Sequence, residues 1–442
     1  MAPNIEEVTT ACSRDRSGAA GTGPAGAAAR ACRLLRLATV ACAVAVALSS
    51  CATVIAGTPI IAADTTNPDN ADIGALRPGN YPTQPRPPRP RAGSQAAGAI
   101  FEGQRMAANV VGPWEVDSDI TRVLSVNTTP MQNAASLWID FPKPGPDIAE
   151  KHGYLTGFSS GRGADMEEPT KTLIIAVLRF PDEPSAAAAA TEMAAEQMKA
   201  LPDNVAVPTP IPGHPEAIGS TRPGTAKDKP TTVAEAFTAH GPYVLYQWTE
   251  LENGGIDAAT SMITRALDLS IPRIDAFRPT ETWGFANLTS DPVNLLVRTL
   301  PLGPDDRAYP PMGSYPPAAA LHYETDPIAS SRLFDTAGVD GMSLINTVVY
   351  RARDPEAARL IADLATQQFK SGSGDDHPAP EVPGLPKSQC FDRRTNSIAM
   401  KALQSQFYCV ATADKYAFKT SSQQLDDAHQ KAAAQYLMLV SP

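Results

Sequence analysis

The chain has few cysteines for its 442 residues, six in all, and three of them, Cys12, Cys32 and Cys42, lie in its first 50 positions. A disulfide-dense scaffold is therefore excluded, and so is a structural zinc site built from cysteines. Aromatic residues are scarce, at 6%. No apolar run reaches the ~18 residues that a membrane-spanning helix needs. No P-loop, no dinucleotide-binding glycine pattern and no H-E-x-x-H pair occurs, so none of the chemistry those motifs carry is indicated. Excess positive charge is also missing. The formal net charge is −10, and the first 50 residues hold five arginines against three acids, so the remainder is more acidic still. That balance argues against nucleic acid as a partner and against general adhesion to an anionic bilayer.

What is present begins near the N-terminus. Arg30, Arg33 and Arg36 precede the apolar stretch Leu37 to Leu48, and Leu48-Ser49-Ser50-Cys51 follows. Basic, apolar and small-residue regions in that order read as a secretory signal over residues 1–50. The last four residues resemble a bacterial lipobox at every position. By that resemblance, the chain is cut before Cys51 and a diacylglyceryl group is joined to its thiol. Two or three acyl chains hold a protein stably to a membrane, at roughly 0.8 kcal/mol per buried methylene. No cofactor is expected. The expected location is the extracytoplasmic face of the cell membrane, and the membrane is a partner only through lipid.

Residues 51–98 read as a lipidated, proline-rich disordered tether. Tyr81-Pro-Thr-Gln-Pro-Arg-Pro-Pro-Arg-Pro-Arg91 favours extended polyproline II. Beyond it the chain repeats itself. Thr172 to Phe180 reads as a strand, Pro184 to Ala200 as a helix, and Ile211-Pro-Gly-His-Pro215 as a turn. Strands Thr232–Ala239 and Tyr243–Thr249 follow, and then a helix from Gly255 to Leu269. In the second half the strand is Ser343 to Tyr350 and the helix Pro355 to Lys370. Val382-Pro-Gly-Leu-Pro386 supplies the turn, Ser397–Ala402 and Phe407–Ala413 the strands, and Leu425 to Leu439 the last helix. The offset is the same at Pro184/Pro355 and at Ile211/Val382. Proline in the first turn of a helix is well tolerated. Leu173–Phe180 is nearly all apolar, so both its faces should be covered. The expected fold is α+β, in two related lobes at 99–275 and 276–442, each with helices packed on a mostly antiparallel sheet. A ferredoxin-like plait is the expected core of each.

Together with the lipobox, the segments Gly79-Asn80-Tyr81-Pro82-Thr83-Gln84-Pro85-Arg86, Arg105-Met-Ala-Ala-Asn109, Ile211-Pro-Gly-His-Pro215 and Gly338-Val339-Asp340 resemble a family of actinobacterial, mycobacterial-type lipoproteins. The resemblance spans nearly the whole mature chain. It implies an envelope lipoprotein with tandem domains and brings no activity with it.

Two cysteines remain after Cys51. Cys390 and Cys409 form an even pair in an exported chain, which reads as one disulfide. Candidate chemistry is sparse. Gly157-Phe-Ser-Ser-Gly161 matches G-x-S-x-G and makes Ser159 a candidate nucleophile. However, a loop leads from it to a strand, where a nucleophile elbow needs a helix at once. His214 and His240 flank turns and are the bases such a serine would call on. His322 aligns with Trp138, which favours packing, and His429 lies on an apolar helix stripe. Asp375-Asp376-His377 reads as a solvated loop, and no metal site is expected. The favoured expectation is a non-catalytic lipoprotein that binds an envelope ligand or protein between its two lobes. The alternatives are an envelope hydrolase using Ser159 with His214 or His240, and a structural cell-wall protein.

Overall fold

A computed structural model describes residues 69–164, 170–199, 205–371, 376–393 and 405–442. Cys51, the signal region and the expected strand at Ser397–Ala402 lie outside them. The fold is α+β, built on two antiparallel sheets. Helix α1 (Gln95–Met106) leads into the first. Its strands are β1 (Arg122–Val123), β2 (Thr129–Met131), β3 (Thr156–Gly163), β4 (Lys171–Arg179), β5 (Val207–Pro208), β6 (Ile218–Ala226), β7 (Lys229–His240) and β8 (Tyr243–Glu252). Helix α2 (Glu183–Gln197) follows β4, and α3 (Ile256–Asp275) follows β8. The second sheet holds β9 (Gly313–Tyr315), β10 (Gly341–Leu344), β11 (Thr347–Arg351), β12 (Asp376–Ala379), β13 (Gln389–Arg393), β14 (Phe407–Ala413) and β15 (Tyr416–Ser422). Helix α4 (Pro327–Ala337) precedes β10, α5 (Pro355–Ser371) follows β11, and α6 (Leu425–Val440) ends the chain.

The strands are laid in one order in both sheets. The first runs β1-β3-β4-β8-β7-β6-β5, with β2 beside β3, and the second runs β9-β10-β11-β15-β14-β13-β12. Local chemistry matches too. Asp182 and Asp354 cap the helices after the second principal strand, accepting from Ser185 N at 2.9 Å and Ala357 N at 2.8 Å. The Pro-Gly-x-Pro turns place Gly213 at φ +80° and Gly384 at φ +88°, a left-handed conformation that favours glycine. At the β7–β8 and β14–β15 corners, Pro242 O accepts from Phe180 N and Lys415 O from Ala352 N, at 2.8 and 2.9 Å.

Three expectations need correction. First, Ser343–Tyr350 is not one strand. The chain turns at Ile345-Asn346 and forms the β10–β11 hairpin, with Leu344 opposite Val348. The strands after Val382 are accordingly β13, β14 and β15, and Tyr416–Ser422 is the counterpart of β8. Second, neither lobe is a ferredoxin-like plait. Along β4, Leu173, Ile175 and Val177 pack in the core that includes α3, while Ala176, Leu178 and Phe180 pack with α2. The two helices thus cover opposite faces, where a plait stacks both on one. The apolar run of β4 is the sequence counterpart of that arrangement. In the second sheet Tyr350 faces α5 and its neighbour Val349 faces α6.

Third, the proline-rich stretch is no free tether from Asp69 onward. Asp69 accepts from Thr412 Oγ1 at 2.7 Å and Asp414 N at 2.8 Å. Asp72 N donates to Gly384 O at 2.8 Å, and Leu76 is buried in the α6 core. Tyr81 Oη donates to Asp427 at 2.7 Å, and Arg86 reaches the carbonyls of Val297 and Leu296. Residues 69–91 form a strap on the second lobe. Two well-spaced apolar side chains and a series of backbone hydrogen bonds suffice to fix it, despite its polar composition.

The lobes share a core. Met262, Ile263 and Leu267 of α3 belong to the same apolar cluster as Ala357, Ala358 and Ile361 of α5. The described residues accordingly form one compact unit.

Candidate functional site

The hydrolase constellation does not assemble. Ser159 is fully buried in the middle of β3, opposite Ala176, on the side of the sheet that α2 covers. His214 is bonded to Glu216 at 3.1 Å and to Asp268 of α3 at 3.0 Å, and His240 to Asp275 of α3 at 2.7 Å. Both histidines are thus partnered with the helix on the other face, and the sheet stands between them and Ser159.

The serine next to it is the one that meets a histidine. Alternation along β3 turns Phe158, Ser160 and Arg162 toward the second lobe. Ser160 Oγ lies 2.8 Å from His322 Nδ1, and His322 Nε2 lies 2.9 Å from Ala107 O. A carbonyl only accepts, so Nε2 carries the proton and Ser160 donates to Nδ1. The imidazole is fully enclosed, between Trp114 and Phe158 at 5.2 and 5.0 Å. Burial first, and Arg162 second, push its pKa down to about 4. The ring is therefore neutral near pH 7. Packing was the role expected of His322, and packing with hydrogen bonding is what it does.

Arg162 completes the junction. Its guanidinium donates to the carbonyls of His322 at 2.8 Å, Glu324 at 2.9 Å and Leu321 at 3.1 Å, and also to Thr121 O. It lies 4.7 Å from the Trp114 ring. Burial lowers its pKa to about 10, with Glu324 and Asp326 opposing the shift, so it remains charged at neutral pH. Glu324 in turn accepts from Tyr350 Oη at 2.7 Å and Ser330 Oγ at 3.1 Å. This network ties a strand of the first lobe to the segment entering α4 in the second. The space between the lobes, expected as a binding cleft, is filled by it and by the shared apolar core. An opening of about 400 Å³ remains at the rim, beside Trp114, Glu115, Arg273 and Arg332. Glu115 and Arg273 are paired there through two hydrogen bonds, at 2.6 and 2.8 Å.

Sequence reasoning missed this junction because G-x-S-x-G drew attention to the wrong serine. The available signal was Arg162, a lone charge on the same strand face as Phe158. A second buried charged group, Glu102 with Arg179 at 3.0 Å and Thr280 N at 2.7 Å, was equally silent.

Cys390 and Cys409 stand directly opposite each other on β13 and β14, with alpha carbons 4.1 Å apart, and are joined as a disulfide. His429 is near enough to make a three-ligand group with them, but the sulfurs are bonded to each other and His429 Nε2 is 3.0 Å from Pro380 O. Asp376 holds Arg393 at 2.9 Å, and His377 is a strand residue opposite Asp392. A larger opening, about 570 Å³, runs beside α3 in the first lobe, along Pro212, Leu251, Ser261 and Arg265.

Residues 89–290 match the family described as the N-terminal domain of DUF7373, a domain of unknown function, and residues 295–442 match its C-terminal domain. The chain carries both DUF7373 domains. Each sheet falls within one of them, so the DUF7373 division follows the two lobes. No curated protein matches. Among solved structures, the extracellular domain of PknH from Mycobacterium tuberculosis is similar over 38% of this chain and 94% of that chain, at 14% identity and a TM-score of 0.27. A likeness that low carries no functional argument. No helix among the described residues is long and apolar enough to cross a membrane.

Proposed function

We propose that this DUF7373 protein is an exported lipoprotein of an actinobacterial envelope. In this reading a diacylglyceryl group on Cys51 holds it to the extracytoplasmic face of the cell membrane, and its folded body binds an envelope ligand or protein without chemistry of its own. The observation that carries the reading is the placement of the cysteines. One stands at the lipobox Leu48-Ser49-Ser50-Cys51, and the two that follow it form a buried disulfide, a bond that persists in oxidising compartments. The strap adds support. It starts no later than Asp69 and keeps the body within 18 residues of the anchor, which span at most about 65 Å when fully extended.

The binding role is supported by what the titratable groups do. His322, Arg162 and Glu324 are engaged in joining the lobes, and His214 and His240 in fastening α3. The common strand order, capping aspartates and Pro-Gly-x-Pro turns support an origin of the two lobes by duplication. The test is fractionation of Cys51→Ala in the native host. Loss from the membrane fraction, or accumulation of uncut precursor, is expected. A variant that stays with membranes after a high-salt wash overturns lipid anchoring.

A further inference from the structure

The two lobes differ at one matching place. In the second, the strap runs past the Val382–Pro386 turn and along α6. A Cβ added to Gly384 would lie 2.7 Å from Asp72 O and 3.0 Å from Leu76 Cδ2, and one added to Gly79 would meet the Gln430 side chain. Tyr81 packs against the cluster of Leu300, Ala434 and Met438. Among the described residues, the same path in the first lobe is bare. A Cβ at Gly213 or at Gly241 would meet nothing within 4 Å.

With α3 and α6 aligned on their first residues, Ile256 and Leu425, the helix positions that the strap lies along, Asp427, Gln430, Ala434 and Met438, correspond to Ala258, Ser261, Arg265 and Leu269. All four of those are exposed, Leu269 at 36% while Met438 is at 0%. The opening of about 570 Å³ lies on this path, with Leu251 and Met262 on its floor. Arg265 makes no ion pair among the described residues.

We propose that this groove takes an extended segment of a partner protein, with the chemistry that the strap shows in the second lobe. The segment would lay its backbone against the Pro212-Gly213 turn, an apolar side chain over Leu251 and Met262, and a carboxylate toward Arg265. The strap is the template. Its backbone at Asp72 and its apolar residues Leu76 and Tyr81 show how a polar, turn-rich segment is held on this architecture, and the carboxylate answers Arg265, which stands where the second lobe has Ala434. The inference rests on the binding role proposed above and not on the lipid anchor, so failure of the fractionation test leaves it standing.

The test uses the full chain purified in detergent and a fluorescent peptide of residues 69–84, followed by anisotropy. Saturable binding is expected. It should weaken at least tenfold in Ser261→Trp, an exposed position on the groove, and stay unchanged in the second-lobe variant Gln430→Trp. Absence of binding overturns the proposal. So does binding that depends on Gln430 and not on Ser261, because the peptide is then exchanging with the strap. A dimer in sedimentation velocity that Ser261→Trp abolishes makes the occupant a second copy of this chain and overturns the assignment to a partner.

Discussion

Acidification should loosen the junction through His322. In the folded chain its pKa is about 4, against 6.5 for a free imidazole. Between those values the unfolded chain takes up a proton that the folded chain refuses. The folded pKa is the lower one, so stability falls as pH drops from about 6.5 and the loss levels off below about 4. The total is about 3 kcal/mol. Carboxylates also titrate near the lower end of this window, so the contribution of His322 must be read as a difference. In His322→Gln the amide can still donate to Ala107 O and accept from Ser160, yet it has no proton to gain. Urea unfolding of both proteins at pH 7, 6, 5 and 4 provides the comparison. The wild type should lose about 3 kcal/mol more than the variant over that range. Parallel stability profiles would refute a buried, neutral His322 at the lobe junction.

Arg162→Met should leave the carbonyls of Leu321, His322 and Glu324 without their buried donor, lowering stability by at least ~3 kcal/mol in denaturant titration. Gly213→Ala and Gly384→Ala both force a side chain into the left-handed region, at about 1 kcal/mol each. Only Gly384→Ala also meets Asp72 O, so it alone should speed thermolysin cleavage of the Ala75–Leu76 bond, and equal cleavage in both variants would contradict the strap. Replacing Cys390 and Cys409 together with alanine removes a bridge between residues 19 apart and should cost about 3 kcal/mol. Unfolding should still occur in one transition, because the shared core couples the lobes; two separate transitions would argue for independent cores.

How far the sequence discloses this fold depends on how local each signal is. The apolar run of β4, the prolines opening α2 and α5 and the paired Pro-Gly-x-Pro turns are local, and they carry both the α+β class and the common order of elements. The cysteine pair was legible because its two residues are all that remain past the lipobox. The β10–β11 hairpin was hidden because Leu344–Tyr350 interrupts its apolar residues only at Asn346-Thr347, a weak turn signal without glycine beside it. The plait failed because alternation along β4 shows that both faces are covered but not which helix covers each. The strap failed for another reason. Its hold comes from backbone groups and from Leu76 and Tyr81, each meeting residues more than 300 positions away, and no local pattern reports such contacts. The junction of Ser160, Arg162 and His322 is equally non-local.

Export and lipidation at Cys51 underlie the proposed role. Mass spectrometry of the N-terminal fragment, taken from protein isolated from its native envelope without reduction, tests this most directly. The expected fragment begins at Cys51 and carries a diacylglyceryl group, in a chain whose Cys390 and Cys409 remain linked. A fragment that begins elsewhere, or a Cys51 with a free thiol, would contradict it.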